Sequence, residues 1–385
     1  MVRHSSRIEL SQTALKRNIN FIRKKIGPDA IFSSVVKANA FGHGISTFIP
    51  MAEKAGVMHF SVASGYEAWE VSQACTRDST IMIMGILYDE DLDWVIQNEI
   101  EFFVFDLPRL KKARQVAENL GKKAIIHLEV ETGGNRTGLS ETDLGAALSI
   151  LKENQEYLDF KGFCTHYAGI ESLSNQFRVK KQLEKFETLY QKTIKSGIVP
   201  ELRHTACSAA ALAFPETVMD LVRVGTAQFG MWPSPDIYNL HLQQTGKKRG
   251  ALLKRVLTWK TDVMHIKHVK KDEFVGYGTS YQAPKDMKIA VLPLGYSNGY
   301  PRALSNKGEV IIRGKKAPVV GLINMNVFMV NVSRIGEVEV GDEVILIGRQ
   351  DKHVISIRSF SEFTNAINNE LVSRLPDAIP RSSVK

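Results

Sequence analysis

The sequence predicts an α/β protein: an N-terminal (β/α)8 TIM-type barrel followed by a C-terminal mostly-β domain. Three observations lead there. Short β-branched or apolar runs alternate with helical patterns up to about residue 230, as parallel strands with crossover helices require. From Ala251 onward the helical periods vanish and strand-like segments follow one another. Polar residues also recur where the expected barrel strands end, the edge at which such barrels carry their chemistry.

The chain opens with a helix capped by Ser11, whose buried face carries Leu15, Ile19 and Ile22. Eight strand candidates follow: Ile31 to Val36, Met58 to Ala63, Thr80 to Met84, Glu101 to Phe105, Ala124 to Glu131, Asp159 to His166, Leu202 to Ala206, and Val218 to Val224. Eight closes a barrel. An open doubly wound sheet can be written onto the same pattern, and periodicity does not separate the two. The second half offers Leu253 to Ile266, Ile289 to Pro293, Glu309 to Ile312, Ala317 to Ile323, Phe328 to Val332 and Glu343 to Ile347. Turn signals at Ser297-Asn298-Gly299 and Gly341-Asp342 punctuate it, with a short helix near Ile355 to Phe363. The expected domains are therefore residues 1–245 and 246–385.

At 385 residues, 44% apolar and 24% charged, the chain has ample material for a core, which excludes disorder. Lys and Arg outnumber Asp and Glu by 50 to 41, a net charge of +9. The excess is spread over short runs such as Arg23-Lys24-Lys25, Lys247-Lys248-Arg249 and Lys270-Lys271, without the interleaved aromatics that stack bases. Nucleic acid is not an expected partner. Cys75, Cys164 and Cys207 are too scattered for a disulfide framework or a zinc site and read as reduced thiols. With no apolar signal core and no membrane-length apolar stretch, a cytoplasmic protein that holds no metal is expected.

Lys37 ends the first barrel strand, Arg136 follows the fifth, His166 ends the sixth, Ser208 follows the seventh, and Arg223, Gly225 and Thr226 finish the eighth. Burial disfavours an ammonium, and that same penalty makes a rim lysine a good Schiff-base amine. Alternatively, Lys37 has simply reached the surface at a strand end. The loops after strands seven and eight are where barrels often bind phosphate, and Ser208 opening a helix beside Gly225-Thr226 suits that use. A lone serine there is also an ordinary N-cap.

The segment Val35-Val36-Lys37-Ala38-Asn39-Ala40-Phe41-Gly42-His43-Gly44 closely resembles the cofactor-lysine motif of the alanine racemase family. His204 to Ala210, Arg223-Val224-Gly225, Tyr277 to Tyr281, Gly295 to Arg302 and Asn324-Met325-Asn326 resemble further blocks of that family, in family order, between about Arg7 and Arg381. The resemblance implies a pyridoxal 5'-phosphate enzyme that interconverts the enantiomers of a free amino acid by two-base proton transfer. Lys37 would hold the cofactor and act as one base, with Tyr277 as the other on the opposite face. His166 and Arg223 would supply the cationic field Tyr277 needs, since tyrosine ordinarily titrates near pH ~10. Arg223 would face the pyridine nitrogen, and Ser208, Gly225 and Thr226 would surround the phosphate. Arg136 and Met325 would meet the substrate carboxylate, and Tyr296 would line the substrate entry. A homodimer follows, with Tyr277 presented by the partner subunit. His43 and His204 read as packing or hydrogen-bonding residues.

The chain departs from the family pattern at several places. Phe41 stands where tyrosine is usual, and Asn298 and Asn326 replace aspartates. Glu129 occupies the position of a carbamylated lysine, where it would be a permanent anion orienting Arg136. In Ile367-Asn368-Asn369-Glu370, Asn369 replaces a tyrosine that narrows the family's pocket, so longer amino acids, basic ones among them, enter the expected substrate range beside alanine. Two other functions are weighed. A decarboxylase of the same architecture sets a carboxylate at the pyridine nitrogen, which Arg223 opposes. A non-catalytic cofactor-binding protein needs neither a β domain nor Tyr277.

Overall fold

The computed structural model describes residues 3–246, 252–364 and 367–385. The run Lys247-Lys248-Arg249 and the expected start of the β region at Ala251 lie outside the described residues. The chain forms two units, one built from Ala14–Ala38 and Ile49–Lys254, the other from Met1–Thr13, Asn39–Phe48 and Arg255–Lys385.

Strand β1 (Ser6–Ser11) precedes the expected helix, which runs Gln12–Ile26 and buries Leu15, Ile19 and Ile22. The first unit then holds β2 (Ile31–Val35), β3 (His59–Ser64), β4 (Thr80–Ile86), β5 (Glu101–Val104), β6 (Ala124–Glu129), β7 (Leu158–Cys164), β8 (Leu202–His204) and β9 (Leu221–Val224). All eight pair in parallel, in the order β8-β7-β6-β5-β4-β3-β2-β9. The ends of that order meet. The Asp220 N–H donates to the Arg203 carbonyl at 3.1 Å, the Arg223 N–H to that of Ala206 at 3.0 Å, and Cys207 bridges Arg223. The sheet is thus a nearly closed barrel, and the open doubly wound alternative is set aside. Gln228, fully buried, ties β2 to β9: its Nε2 donates to the carbonyls of Val35 (3.1 Å) and Val224 (3.0 Å), and Ser34 Oγ donates to its Oε1 at 2.7 Å.

The second unit contains β1 with β10 (Leu257–Asp262), β11 (His265–Val269), β12 (Met287–Leu292), β13 (Glu309–Ile312), β14 (Lys315–Val320), β15 (Phe328–Asn331), β16 (Glu343–Gln350), β17 (His353–Ile355) and β18 (Arg381–Val384). Their order is β11-β12-β15-β14-β13-β16-β10-β1-β18, with β17 on β16. β1 alternates buried and half-buried residues and sets Ile8 opposite Trp259 and Leu10 opposite Leu257. Burying Ile8 and Leu10 contributes roughly 1.5–3 kcal/mol each, enough to draw this segment into the sheet.

The single strand expected over Leu253 to Ile266 is two. β10 pairs with β1 and β16, whereas β11 pairs with β12, so the chain must turn at Val263 and Met264. A helix near the C-terminus runs Ile357–Thr364, and another, not foreseen, covers Asn368–Ser373. Tyr300 anchors this unit's core, stacked on Phe328 at 4.4 Å and edge-on to Phe360 at 5.2 Å.

Candidate active site

Lys37 lies two residues beyond β2, at the barrel's C-terminal rim. The preceding residue is pinned by its N–H donating to the Ser61 carbonyl at 2.8 Å. The following residue is pinned by the Ala38 N–H donating to Glu67 Oε1 at 2.7 Å, while the other Glu67 oxygen accepts from Ala63 N–H at 2.7 Å. Lys37 is open to solvent on one side, yet its amine is pushed below the ordinary lysine range by desolvation first and the Arg136 cation second, with Glu67 opposing.

The chain then makes one left-handed turn, with φ of 54°, 51°, 52° and 52° at Ala38, Asn39, Ala40 and Phe41. L-residues pay about 1–2 kcal/mol each for this conformation, so it must be held. Asn39, the residue among them that tolerates it best, accepts from the Ile45 N–H at 2.7 Å and donates to Asp377 at 2.6 Å. His43 Nδ1 donates to the carbonyls of Ala40 and Phe41, both at 3.0 Å. Burial holds His43 neutral, with its ring pushed down to about 4, as the expectation of a structural histidine requires. Gly42, at φ 75°, passes so close to Val372 that an added Cβ would sit 2.0 Å from its carbonyl oxygen.

Arg223, on β9, is buried. Its Nη2 donates to the carbonyls of Thr165 (2.7 Å) and Thr205 (3.2 Å), and its Nη1 to the His204 carbonyl (3.1 Å) and to His204 Nδ1. None of these bonds uses Nε. His166, just past β7, is pushed down to about 3 by burial, then by Arg223, Arg136 and Lys37. It is therefore neutral near pH 7 and supplies no positive field, contrary to the expectation for it. The cations around it are Arg223, Arg136 and Lys37.

Arg136 rides a loop between Glu129 and Leu139 that closes on itself: the Leu139 N–H donates to the Glu129 carbonyl at 2.8 Å and the Glu131 N–H to that of Leu139 at 3.0 Å. The Glu131 carboxylate accepts from the N–H groups of Gly133, Gly134 (2.7 Å) and Asn135 (2.8 Å), which fixes the turn before Arg136. Beside it a cavity of about 270 Å³ is lined by Glu129, Arg136, Thr165, His166 and Tyr167 among others. Glu129, the expected anion beside Arg136, lies against this cavity with its carboxyl under opposed influences. Burial raises its carboxyl against Thr137, Arg223 and Arg136, and its buried Oε2 has no hydrogen-bond partner.

Ser208 is the first residue of the helix Ser208–Ala213, after an N-cap at Cys207. Its Oγ accepts from the Gly225 N–H at 2.9 Å, so the loops after β8 and β9 are stitched together where Gly225 leads into Thr226.

The remaining expected residues belong to the other unit. Tyr277 is 73% exposed on the excursion between β11 and β12, flanked by Gly276 and Gly278, both at positive φ. Tyr296 and Met325 sit on neighbouring exposed loops joined by N–H bonds from Tyr296 to the Asn324 carbonyl (3.0 Å) and from Ser297 to that of Met325 (3.1 Å). Asn369 is half-buried on the helix Asn368–Ser373, the helix whose Val372 meets Gly42.

Sequence reasoning missed Glu67, Gln228, Glu101 and His127. For Glu67 a signal existed: Ser64 caps the helix Gly65–Ala74 by accepting from the Glu67 N–H, the spacing of a capping box. The others act across the barrel and leave no local trace.

A closed parallel barrel whose C-terminal rim gathers a depressed lysine, a neutral histidine and two arginines, with a sheet unit on the same chain, defines a protein that handles a small anionic ligand through an amine. Residues 10–233 match the N-terminal domain and residues 256–383 the C-terminal domain of alanine racemase. The chain is 34% identical over 373 residues to an alanine racemase of Desulforamulus reducens, covering 97% of both chains, and 32% identical to one of Methanococcus maripaludis, covering 99% of both. Solved structures agree. An alanine racemase from Streptomyces coelicolor superposes with a TM-score of 0.88 at 27% identity, covering 99% of this chain and 98% of that one. One from Bacillus anthracis, with bound L-Ala-P, gives 0.88 at 28%, covering 100% and 96%.

The chain belongs to the alanine racemase family, and is thereby a pyridoxal 5'-phosphate-dependent isomerase that racemises amino acids. The residues present fit that cofactor. Lys37 offers an amine with a lowered proton affinity, Arg223 an uncommitted Nε at the rim, and the Ser208–Gly225 junction a polar cradle.

Proposed function

We propose that this enzyme racemises alanine, that it does so with Lys37 and Tyr277 as its two proton-transfer bases, and that its range extends to longer amino acids. The observation that carries the reading is the convergence of Lys37, Arg136, His166 and Arg223 at one rim, expressed in the lowering of His166 by Arg223, Arg136 and Lys37 and of Lys37 by Arg136. When bound, pyridoxal phosphate withdraws electrons from the substrate's α-carbon and so acidifies its proton.

Lys37 takes that proton on one face and Tyr277 of the partner subunit returns one on the other, so the homodimer is part of the proposal. Arg223, whose four hydrogen bonds leave Nε unused, would face the ring nitrogen. Being a cation that does not release its proton, it would keep that nitrogen unprotonated and temper the electron demand, disfavouring side reactions. His166, Ser208, Gly225 and Thr226 hold the cofactor. Arg136 and Met325 receive the substrate carboxylate, Tyr296 lines the entry, and Asn369 leaves room for a longer side chain. In this scheme residues 1–245 bind the cofactor and 246–385 complete the site.

The proposed compartment is the cytoplasm, supported by three free cysteines. No described helix is long and apolar enough to cross a membrane. Incubating the purified holoenzyme with single L-amino acids, followed by chiral chromatography, tests the proposal. D-alanine must appear, together with the D-enantiomer of at least one longer substrate. Release of carbon dioxide without enantiomer exchange would replace racemisation with decarboxylation.

A further inference from the structure

Arg223 is a buried cation, and among the described residues no carboxylate is bonded to its guanidinium. Hydrogen bonds nevertheless connect it to an anion across the barrel interior. A guanidinium only donates, so His204 Nδ1 must accept from Arg223 Nη1 and the neutral ring carries its proton on Nε2. That Nε2 donates to His127 Nδ1 at 2.8 Å, which leaves the His127 proton on its own Nε2. His127 Nε2 then donates to Glu101 Oε2 at 3.0 Å, and His59 Nε2 donates to the same oxygen at 3.2 Å.

A donor-only group stands at one end and an acceptor-only group at the other, so this chain has a single proton arrangement. All five residues are buried. The charges agree with it: burial holds His204 and His127 neutral, and the two imidazole donors hold Glu101 well below the carboxylate range against its own burial. The guanidinium also faces Glu129, Cys164, His166, Tyr167 and Cys207. Of the two glutamates, burial pushes Glu129 up, whereas the hydrogen bonds from His127 and His59 hold Glu101 down.

We propose that Glu101 is a positioning residue for racemisation: through His127 and His204 it fixes which imidazole nitrogen meets Arg223, and so holds the guanidinium in one orientation at the rim. Were His204 to carry its proton on Nδ1, two N–H groups would face each other and the guanidinium would have to swing away. The proposal rests on the reading of Arg223 as the partner of the cofactor's ring nitrogen.

Nitrogen-15 NMR of histidine-labelled holoenzyme tests it. In the natural protein His127 and His204 should stay neutral, with the proton on Nε2, from about pH 6 to pH 9. Glu101→Gln replaces an acceptor with a group that also donates. It should mix or reverse the two tautomers, shift the cofactor's visible band, displace the pH profile of kcat, and lower kcat by about 10-fold or more with a smaller change in KM. Glu101→Asp should restore the tautomers and most of kcat.

Protons on Nδ1 or ordinary titration in the natural protein would overturn the proposal, whether or not any variant folds. So would a Glu101→Gln enzyme with unchanged tautomers and pH profile. Arg223→Lys separates the underlying reading. If it leaves the cofactor's band untouched, Arg223 is not at the ring nitrogen, even with the tautomers intact.

Discussion

The barrel unit and the sheet unit hold their candidate residues in opposite ways. At the barrel rim, Arg223 is held by four hydrogen bonds, Arg136 by a loop wound on Glu131, and the residues flanking Lys37 by Ser61 and Glu67. In the sheet unit, Tyr277, Tyr296 and Met325 are 73%, 42% and 56% exposed. A group fixed by its neighbours costs little to keep in place, whereas an exposed side chain must lose rotamer freedom when it engages a partner or ligand. The difference teaches that the candidate residues of the barrel unit are preorganised within it, whereas those of the sheet unit project from theirs. Removing a barrel residue should therefore disturb cofactor binding, and removing a projecting residue should disturb turnover alone.

The largest expected effect sharpens the first half of that contrast. Lys37→Ala should abolish the visible band of the bound cofactor and lower racemisation by more than about 10⁴-fold. Borohydride reduction of the natural enzyme should attach the cofactor to Lys37 in a peptide map, and attachment at another lysine would refute the assignment.

Tyr277→Phe probes the other half. With the side chain largely exposed, folding stability should change by no more than about 0.5 kcal/mol and the cofactor band should remain. Racemisation should fall by about 10²–10⁴-fold in both directions. Near-normal rates would remove Tyr277 from the two-base scheme.

These two residues also mark how much was readable beforehand. The eight barrel strands were legible because parallel strands are buried on both faces and read as unbroken apolar runs. β1 was not, since its six residues look like a helix preface and gain meaning only opposite β10, some 250 positions away. Lys37, Arg136, His166, Ser208 and Arg223 stood out at strand ends. The relay from Arg223 to Glu101 did not, because each histidine alone looks like a packing residue and only the barrel brings the three rings into line. The charge state at His166 was misjudged for a related reason: burial and crowding by neighbouring cations are three-dimensional facts.

Asn369→Tyr asks whether the projecting half also sets substrate size. Each methylene in an apolar pocket is worth about 1–3 kcal/mol, or about 10- to 200-fold in relative kcat/KM. Restoring the ring should lower the ratio of lysine to alanine turnover by at least the smaller factor while sparing alanine. An unchanged ratio, measured by competition and chiral chromatography, would show that Asn369 does not bound the pocket.

The smallest expected effect concerns the left-handed turn that leads out of the barrel unit. Ala38 is exposed, sits at φ 54° and contributes a backbone N–H to Glu67. Glycine keeps that N–H and escapes the left-handed penalty of about 1–2 kcal/mol, while loosening the unfolded chain by about 0.4–1 kcal/mol. The signs therefore leave Ala38→Gly more stable by up to about 1.6 kcal/mol, against the usual direction of alanine-to-glycine changes. Urea unfolding of the cofactor-loaded enzyme measures it as a raised midpoint at constant slope. A lowered midpoint would mean that the surrounding structure relieves the strain at Ala38, leaving only the entropic cost of glycine. The preorganisation around Lys37 would then come from the bonds of Ser61 and Glu67 alone.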